Sequence, residues 1–265
     1  MNRVIYTTLI GNYDNLKDPS VVNNDWDYIC FTDVLNQEDY KVWKIIKIAN
    51  RSLSNIESSR QPKLCPHLFL QDYDISVFID SNIEITSDFI YKRSLELEKT
   101  DNLISVPIHP TRNCLYKEGE ILKYRGKDKI TSLKRHLAFL REENFPENYG
   151  LYENNVIWRR HMNHKLKVLG EEWWRIFRNY SKRDQLGLVY CLWKYDIACP
   201  ALMPENILDH RKSEHFEFSE HHRKWYFHIK RFISKVKYVI KTGKRPDSKS
   251  PSHPILDTKK TSFEN

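Results

Sequence analysis

Short apolar runs alternate with polar stretches over the first 110 residues of the chain. The runs are rich in β-branched and aromatic residues and end at Gly, Asp or Pro, which is typical of strands. The alternation predicts an α/β layer with a mostly parallel sheet flanked by helices. The predicted strands are residues 3–11, 27–33, 43–49, 75–85 and 102–110, and a helix shortened or kinked by Pro62 and Pro66 is predicted over residues 55–70.

Beyond residue 120 the apolar residues recur at intervals of three and four, which indicates helices. These helices are predicted over residues 129–145, 154–180 and 182–195. From about Asn206 the chain turns polar, and its end holds few large apolar groups, so we expect that end to be mobile. The predicted organisation is a domain over residues 1–205, a helical extension over 206–241 and a flexible tail over 242–265.

The formal net charge of +8 is concentrated near the C-terminus. Nine Lys and Arg residues and no Asp or Glu lie between His221 and Arg245, and subtracting them leaves about −1 for the rest. At 100° per residue this segment forms a basic amphipathic helix. Three roles compete: packing on the domain, an interfacial membrane anchor and a nucleic-acid patch. The rings of Trp225, Tyr226, Phe227 and Phe232 beside the cations favour an anionic membrane surface, and nucleic acid is the least favoured partner.

Length and composition fit a globular protein, because 265 residues with 40% apolar content bury a sizeable core. The chain has no run of about 20 apolar residues, and its N-terminus enters a strand pattern at once. We therefore expect a cytoplasmic location, with possible attachment to the inner face of the plasma membrane. The five scattered cysteines show no zinc spacing, and we expect reduced thiols that fill the core.

Polar residues follow several predicted strands at the edge where ligands collect in parallel sheets. One short motif there, Asp80-Ser81-Asn82, ends a buried strand. It is either a tight turn or a divalent-cation site, in which Asp80 and Asn82 face one ion and a ligand's diphosphate supplies the remaining oxygens. The other strand-end residues are Thr7, Thr8, Gly11, Asn12, Tyr13, Asp14, Thr32, Asp33 and His109.

Six blocks of the sequence resemble, in order, a family of bacterial and plant glycosyltransferase-like proteins, long described as a domain of unknown function and now placed among nucleotide-diphospho-sugar transferases. The blocks span roughly residues 4–197 and read YTTLIGNYDNL, DWDYICFTD, SRQPKLCPHLFLQDYDISVFIDSNIEI, HPTRNCLYKE, GLYENNVIWRRHMN and WWRIFRNYSKRDQLGLVYCLWK. The resemblance implies a GT-A type fold, a nucleotide-sugar donor, and Asp80-Ser81-Asn82 in the place of the D-x-D metal motif. Here a neutral Asn stands at the third position.

The resemblance gives further residues expected roles in donor binding. Around the first two strands, Thr7, Thr8, Tyr13, Asp14 and Asp33 are placed to hold the base and ribose, unless this is an ordinary loop bent at Gly11. Arg60 and Lys63 are neighbours on a helix and are expected to neutralise a leaving diphosphate, the alternative being a solvated helix face.

Three later segments are expected to bind substrate. His109 and Arg112 line the donor pocket, although His109 is equally a candidate structural histidine. Glu153, Asn154 and Asn155 either cap a helix or bind sugar hydroxyls, with Glu153 as a candidate catalytic residue. The segment Arg183-Asp184-Gln185 also has two interpretations. Asp184 either closes a capping box with Ser181 or is the base of an inverting transferase, and in a retaining mechanism it binds donor or acceptor instead.

Together these features predict a hexosyltransferase that moves a sugar from a nucleotide diphosphate, with UDP as the expected nucleotide, to a saccharide hydroxyl in surface polysaccharide synthesis. Mn²⁺ or Mg²⁺ at Asp80 and Asn82 is the expected cofactor. The expected partners are the nucleotide sugar, a saccharide acceptor and an anionic membrane surface contacted through residues 221–245. The alternative function is a non-catalytic carbohydrate- or nucleic-acid-binding protein.

Overall fold

A computed structural model describes residues 1–11, 14–48, 52–220 and 226–247. Eight strands and seven α-helices are assigned within these ranges. The strands are β1 Arg3–Leu9, β2 Asp27–Thr32, β3 Lys44–Lys47, β4 Ile75–Ile79, β5 Ile83–Ile85, β6 Ile104–Ser105, β7 Val156–Arg159 and β8 Phe216–Phe218. The helices are α1 Asn55–Leu64, α2 Phe89–Glu98, α3 Leu115–Tyr124, α4 Ile130–Glu142, α5 His164–Asn179, α6 Gln185–Lys194 and α7 Tyr226–Thr242.

Six strands form the central sheet in the order β3-β2-β1-β4-β7-β6. The first four in that order run parallel, while β7 is antiparallel to both β4 and β6. Every residue of β4 is buried, as expected for a strand covered on both faces. The predicted α/β fold with a mainly parallel sheet and flanking helices is confirmed. A second, two-stranded sheet pairs β5 with β8.

Alternate residues of the strands enter two separate cores, one on each face of the sheet. Tyr6 and Phe78 belong to a core that includes residues of α3, α4, α5 and α6. Ile5 and Val77 belong to a second core that includes residues of α2 and both strands of the small sheet. All five cysteines are buried and form no disulfide.

The structure corrects several predicted boundaries. Residues 154–180 are not one helix, because Val156–Arg159 is a buried strand and α5 begins only at His164. The run is β-branched and aromatic, and Asn163 caps the helix by accepting a hydrogen bond from the Lys165 amide. The predicted strand over residues 75–85 is interrupted at Asp80–Asn82, and the helices α2 and α3 were not predicted.

The helix α7 packs on α3 through its polar side. The Tyr238 hydroxyl donates to Glu120 at 3.1 Å, and Ser234 lies against Gly126, whose φ is +58°. The apolar side faces away from the domain, where Phe232 is 67% and Ile240 is 79% exposed. Within the described ranges no helix combines the length and apolar character needed to cross a bilayer.

Candidate functional site

A cavity of about 520 Å³ opens at the edge of the sheet where β4 ends. Its wall is built from α1, the turn after β4, the loop after β6, the end of α3, the residues before β7, the start of α6 and the segment 206–220. Twelve of the predicted site residues line it: Arg60, Lys63, Asp80, Asn82, His109, Arg112, Glu153, Asn154, Asn155, Arg183, Asp184 and Gln185.

The helix α1 brings two cations to one side of this cavity. A capping box starts the helix, since Ser54 and Glu57 bond each other's backbone amides, and Arg60 and Lys63 follow one turn apart. Lys63 is only 2% exposed. Its ammonium lies 2.7 Å from Asp184 Oδ2 and 3.4 Å from Asp80 Oδ1. The interpretation of this face as solvated is therefore wrong for Lys63.

Asp184 is held by these two cations. Burial by itself raises the pKa of this carboxyl, but Lys63 and then Arg60, whose Nε lies 3.7 Å from Oδ1, outweigh it and hold the pKa well below its usual range. The Trp173 indole donates to the Asp184 carbonyl at 2.8 Å and fixes the backbone. A carboxylate with so low a proton affinity is a weak general base. This environment favours a role in positioning the cations.

The predicted capping roles on either side of the cavity are wrong. Asp184 makes no side-chain capping bond to α6, and the Ser181 hydroxyl donates instead to Asp128 at 2.7 Å. Glu153, Asn154 and Asn155 precede the strand β7 rather than a helix, so they have no helix to cap.

The segment Asp80–Asn82 is both a turn and a part of the cavity wall. The Ile83 amide donates to the Asp80 carbonyl at 3.0 Å, and the Asn82 amide group donates to the Ser219 carbonyl at 2.8 Å. The Ser81 hydroxyl donates to Asp14 at 3.1 Å. This last bond links the predicted nucleoside residues to the cavity.

Two side-chain oxygens at this turn suit a divalent cation. The Asp80 carboxylate and the Asn82 amide oxygen are the hard ligands that Mn²⁺ and Mg²⁺ accept. Among the described residues no three His, Cys, Asp or Glu side chains are grouped to hold a metal. An ion bound at Asp80 and Asn82 would therefore take most of its ligands from a diphosphate and water.

A second charged group occupies another part of the wall. Arg112 Nε donates to Glu118 Oε2 at 2.5 Å, and Arg112 Nη2 lies 2.7 Å from His109 Nε2. His109 Nε2 is also 3.3 Å from Glu153 Oε1, and the other oxygen of Glu153 accepts from Arg211. His109 Nδ1 accepts two backbone N–H bonds, so the ring has a structural role as well as a place in the wall.

Three side-chain amides also face the cavity. Neither polar atom of the Asn154 side chain has a hydrogen-bond partner among the described residues, although Asn154 is only 6% exposed. Asn155 Oδ1 lies 2.8 Å from His210 Nε2, and Gln185 donates to the Tyr152 carbonyl at 2.7 Å. Burial lowers the pKa of His210 to about 4, so its neutral ring donates to Asn155. The Asn154 amide therefore has a donor and an acceptor available to a ligand in the cavity that it lines.

The remaining predicted residues lie beside the cavity or outside the described ranges. Thr7 is buried within β1, and the Thr8 hydroxyl donates to the Ser59 carbonyl at 2.8 Å. Asp33 accepts from the Gly11 amide at 2.7 Å. Tyr13 lies outside the described residues. The sequence interpretation missed five charged residues of the wall, which are Glu118, Arg125, Lys127, Asp209 and Arg211.

The chain matches the family model of the TOD1/MUCI70 glycosyltransferase-like domain over residues 1–222. It belongs to this family. The resemblance found in the six sequence blocks is thereby confirmed at the level of the family, and the match extends into the segment that supplies Asp209 and Arg211.

Two solved glycosyltransferases are similar to this chain. The apo WbbM bifunctional glycosyltransferase is 12% identical with a TM-score of 0.44, the match covering 89% of this chain and 44% of that one. Apo mouse xyloside xylosyltransferase 1 is 7% identical with a TM-score of 0.42, covering 76% of this chain and 84% of that one. This chain thus spans less than half of the WbbM chain. A comparison with curated proteins gives no match.

Proposed function

We propose that this protein is a hexosyltransferase that moves a sugar from a nucleotide diphosphate to a saccharide hydroxyl during surface polysaccharide synthesis. The proposed nucleotide is UDP. The observation that supports this proposal best is the buried Lys63 ammonium at the cavity wall, which lies between Asp80 and Asp184. A glycosyl donor releases a diphosphate whose negative charge grows as the bond breaks. Fixed cations that need no reorganisation stabilise that charge most effectively.

We assign the diphosphate to Lys63, Arg60 and Arg183, with Asp184 positioning the first two. Asp80 and Asn82 would hold Mn²⁺ or Mg²⁺, which when bound supplies further positive charge to the departing diphosphate. Asp14 and Asp33, near the ends of β1 and β2, are assigned to the ribose hydroxyls, together with Thr7 and Thr8 of β1. Tyr13, which lies outside the described residues, keeps its predicted role in binding the base.

For an inverting reaction we assign the proton acceptor to Glu153 rather than to Asp184. Asp184 pairs with two cations, Lys63 and Arg60. Glu153 pairs with one, the half-exposed Arg211, and faces His109. It lies beside Asn154, whose side-chain amide has no hydrogen-bond partner in the part of the chain that the structure describes. Glu153→Gln is then expected to abolish transfer and keep nucleotide binding, and Asp184→Asn to weaken nucleotide binding. The opposite pattern in a binding and turnover assay refutes this assignment.

The donor site is tested by following thermal stability while UDP, GDP and CMP are added with and without Mn²⁺. A ligand that binds only the folded state at 100 times its Kd adds about 2.7 kcal/mol, so selective binding is easily seen. Arg60→Gln is expected to weaken UDP stabilisation, and Asp80→Asn to remove the Mn²⁺ effect. Lys134→Gln, an exposed α4 position, is the matched control.

Two outcomes oppose the proposal. If no nucleotide stabilises the protein, or if Arg60→Gln and Lys134→Gln respond alike, the cavity is not a nucleotide-sugar site. Stabilisation by saccharides alone favours the alternative of a non-catalytic carbohydrate-binding protein.

We also propose that α7 attaches the enzyme to an anionic membrane at the cytoplasmic face. The apolar stripe of α7 faces away from the domain, and Lys230, Lys237 and Lys241 lie along one flank of it. Apolar burial in the interface and attraction to anionic lipid act together in such a helix. Co-sedimentation with phosphatidylglycerol vesicles is expected to be lost in Ile240→Glu and kept in Leu208→Glu, an exposed apolar position outside α7. Equal binding by both variants refutes the anchor.

A further inference from the structure

The cavity holds more positive than negative charge. Seven Lys and Arg residues and five Asp and Glu residues line it, whereas the chain outside residues 221–245 carries about −1 in total. Five of the seven cations form two groups on different elements. Arg60 and Lys63 stand on α1, while Arg112, Arg125 and Arg211 stand on the loop after β6, the end of α3 and the segment 206–220. We call the second group the arginine cluster.

The arginine cluster has three cations but only two acidic side chains paired with them among the described residues. Glu118 pairs with Arg112, and Glu153 pairs with Arg211. Arg125 is half-buried and has no ion pair among the described residues. Burial and then the nearby Arg112 lower the pKa of both Arg125 and Arg211. Three guanidinium groups that repel one another in a partly buried wall are stabilised by an anion.

The geometry points to a phosphate subsite at Arg112, Arg125 and Arg211 that takes a phosphate group carried by the acceptor saccharide. The assignment of this phosphate to an acceptor saccharide rests on the proposed function. The anion site at the three arginines does not depend on it. Guanidinium groups match phosphate oxygens with paired hydrogen bonds, and several together favour phosphate over a neutral sugar.

The position of the arginine cluster separates it from the donor diphosphate. The diphosphate is assigned to α1 and the start of α6, neither of which carries a member of the cluster. The cluster instead adjoins α7. Gly126 follows Arg125 and abuts Ser234 of α7, and Arg231 of α7 also contributes to the lowered pKa of Arg125. The subsite therefore lies next to the helix whose apolar stripe faces outward.

Two kinds of molecule carry a phosphate group of this type. The phosphate belongs either to a saccharide linked through phosphate to a membrane lipid or to a soluble saccharide phosphate. Both present the same group to the arginine cluster, and vesicles distinguish them.

The test uses the full chain and calorimetric titration of inorganic phosphate, with and without UDP. Arg125→Gln is expected to weaken phosphate binding about tenfold, and Arg125→Lys to restore part of it, because a charged hydrogen bond is lost and then partly replaced. Lys134→Gln is the control and is expected to bind like the wild type. Arg60→Gln is expected to lose UDP affinity and keep phosphate affinity.

Unchanged phosphate affinity in Arg125→Gln overturns the subsite. The subsite is also overturned if UDP displaces the phosphate whose binding depends on Arg125, because the arginine cluster then serves the donor. If UDP does not bind but Arg125-dependent phosphate binding persists, the proposed donor site fails and the anion subsite stands. In a second arm, Arg125-dependent binding to phosphatidylcholine vesicles doped with polyprenyl phosphate identifies the lipid source. Dependence seen only with inorganic phosphate identifies the soluble source.

Discussion

Replacing Lys63 by Met removes the charge at the centre of the site and keeps the length of the side chain. Lys63 is 2% exposed, and its ammonium lies 2.7 Å from the buried Asp184 carboxylate. Without it Asp184 keeps the longer contact to Arg60, at 3.7 Å, and the more distant charge of Arg183. Removing one partner of a buried ion pair costs about 3–5 kcal/mol. We expect Lys63→Met to lower the free energy of unfolding by about 3 kcal/mol, the lower end, because Arg60 remains.

This loss depends on pH in a defined direction. In the wild type the pKa of Asp184 lies below its unfolded value, so its contribution to stability is present above the unfolded pKa of about 3.9 and is lost as pH falls. Burial is the largest influence on this pKa and Lys63 the largest that opposes it, so we expect the pKa to rise above the unfolded value in the variant. The folded variant then binds more protons than the unfolded chain, so acidification favours it. The stability difference between wild type and variant should therefore be larger at pH 8 than at pH 5.

The assay is urea unfolding followed by tryptophan fluorescence at both pH values, with Lys134→Met as an exposed control. A second substitution, Asp184→Asn in the Lys63→Met background, is expected to recover more than half of the loss, since no buried charge is left. A loss below about 1 kcal/mol, the range of exposed pairs, would show that Lys63 does not neutralise Asp184. The same conclusion follows from a loss that is equal at pH 8 and pH 5.

Three further outcomes are expected from buried groups. Burial lowers the pKa of His136 to about 4, so the unfolded chain takes a proton below about pH 6.5 first, and this residue contributes about 2 kcal/mol to the stability lost by pH 5. In urea unfolding, His136→Gln should lose about 2 kcal/mol less than the wild type over this range, and exposed His164→Gln should lose as much as the wild type. Gly187→Ala places a Cβ 2.6 Å from the Trp173 ring and should cost about 1–3 kcal/mol, seen as a lower Tm. Tyr6→Phe removes the hydroxyl that accepts from Nη2 of the buried Arg159 on β7, whose Nη1 still donates to the Lys63 carbonyl. It should cost about 1–3 kcal/mol in urea unfolding.

The central sheet follows from the sequence because its strands carry a local signal. A strand buried on both faces is apolar along most of its length, as Ile75–Ile79 is apart from Ser76. The strand β7 escaped prediction because its four residues sit within a longer run of helical spacing. The helix α3 has no side-chain cap at its start, and it contains Gly119, where a Cβ would lie 2.7 Å from Leu137. Its determinants are contacts with α4, which no local pattern contains.

The residues of the candidate site also differ in whether the sequence around them carries a local signal. Asp80 and Asn82 were predicted because a strand end, a short motif and the family resemblance agreed on them. Lys63 was predicted from its helical spacing to Arg60 together with the same resemblance. Arg125 and Arg211 carry no such signal. Arg125 is the residue that ends α3, and Arg211 belongs to a polar stretch whose place on the wall depends on the pairing of β8 with β5. Their function depends on what the fold brings near them.

Asp184 shows which of two local interpretations the fold selects, and the magnitudes explain the choice. A side-chain cap at the start of a helix is worth about 1 kcal/mol. Leaving the buried Lys63 ammonium without its nearest carboxylate costs several times more. The carboxylate therefore turns from the amides of α6 to the ammonium, and Ser181 is left to bond Asp128 instead. The sequence does contain a capping motif, but the Lys63 ammonium on α1 determines that the aspartate of the motif forms an ion pair instead of a cap.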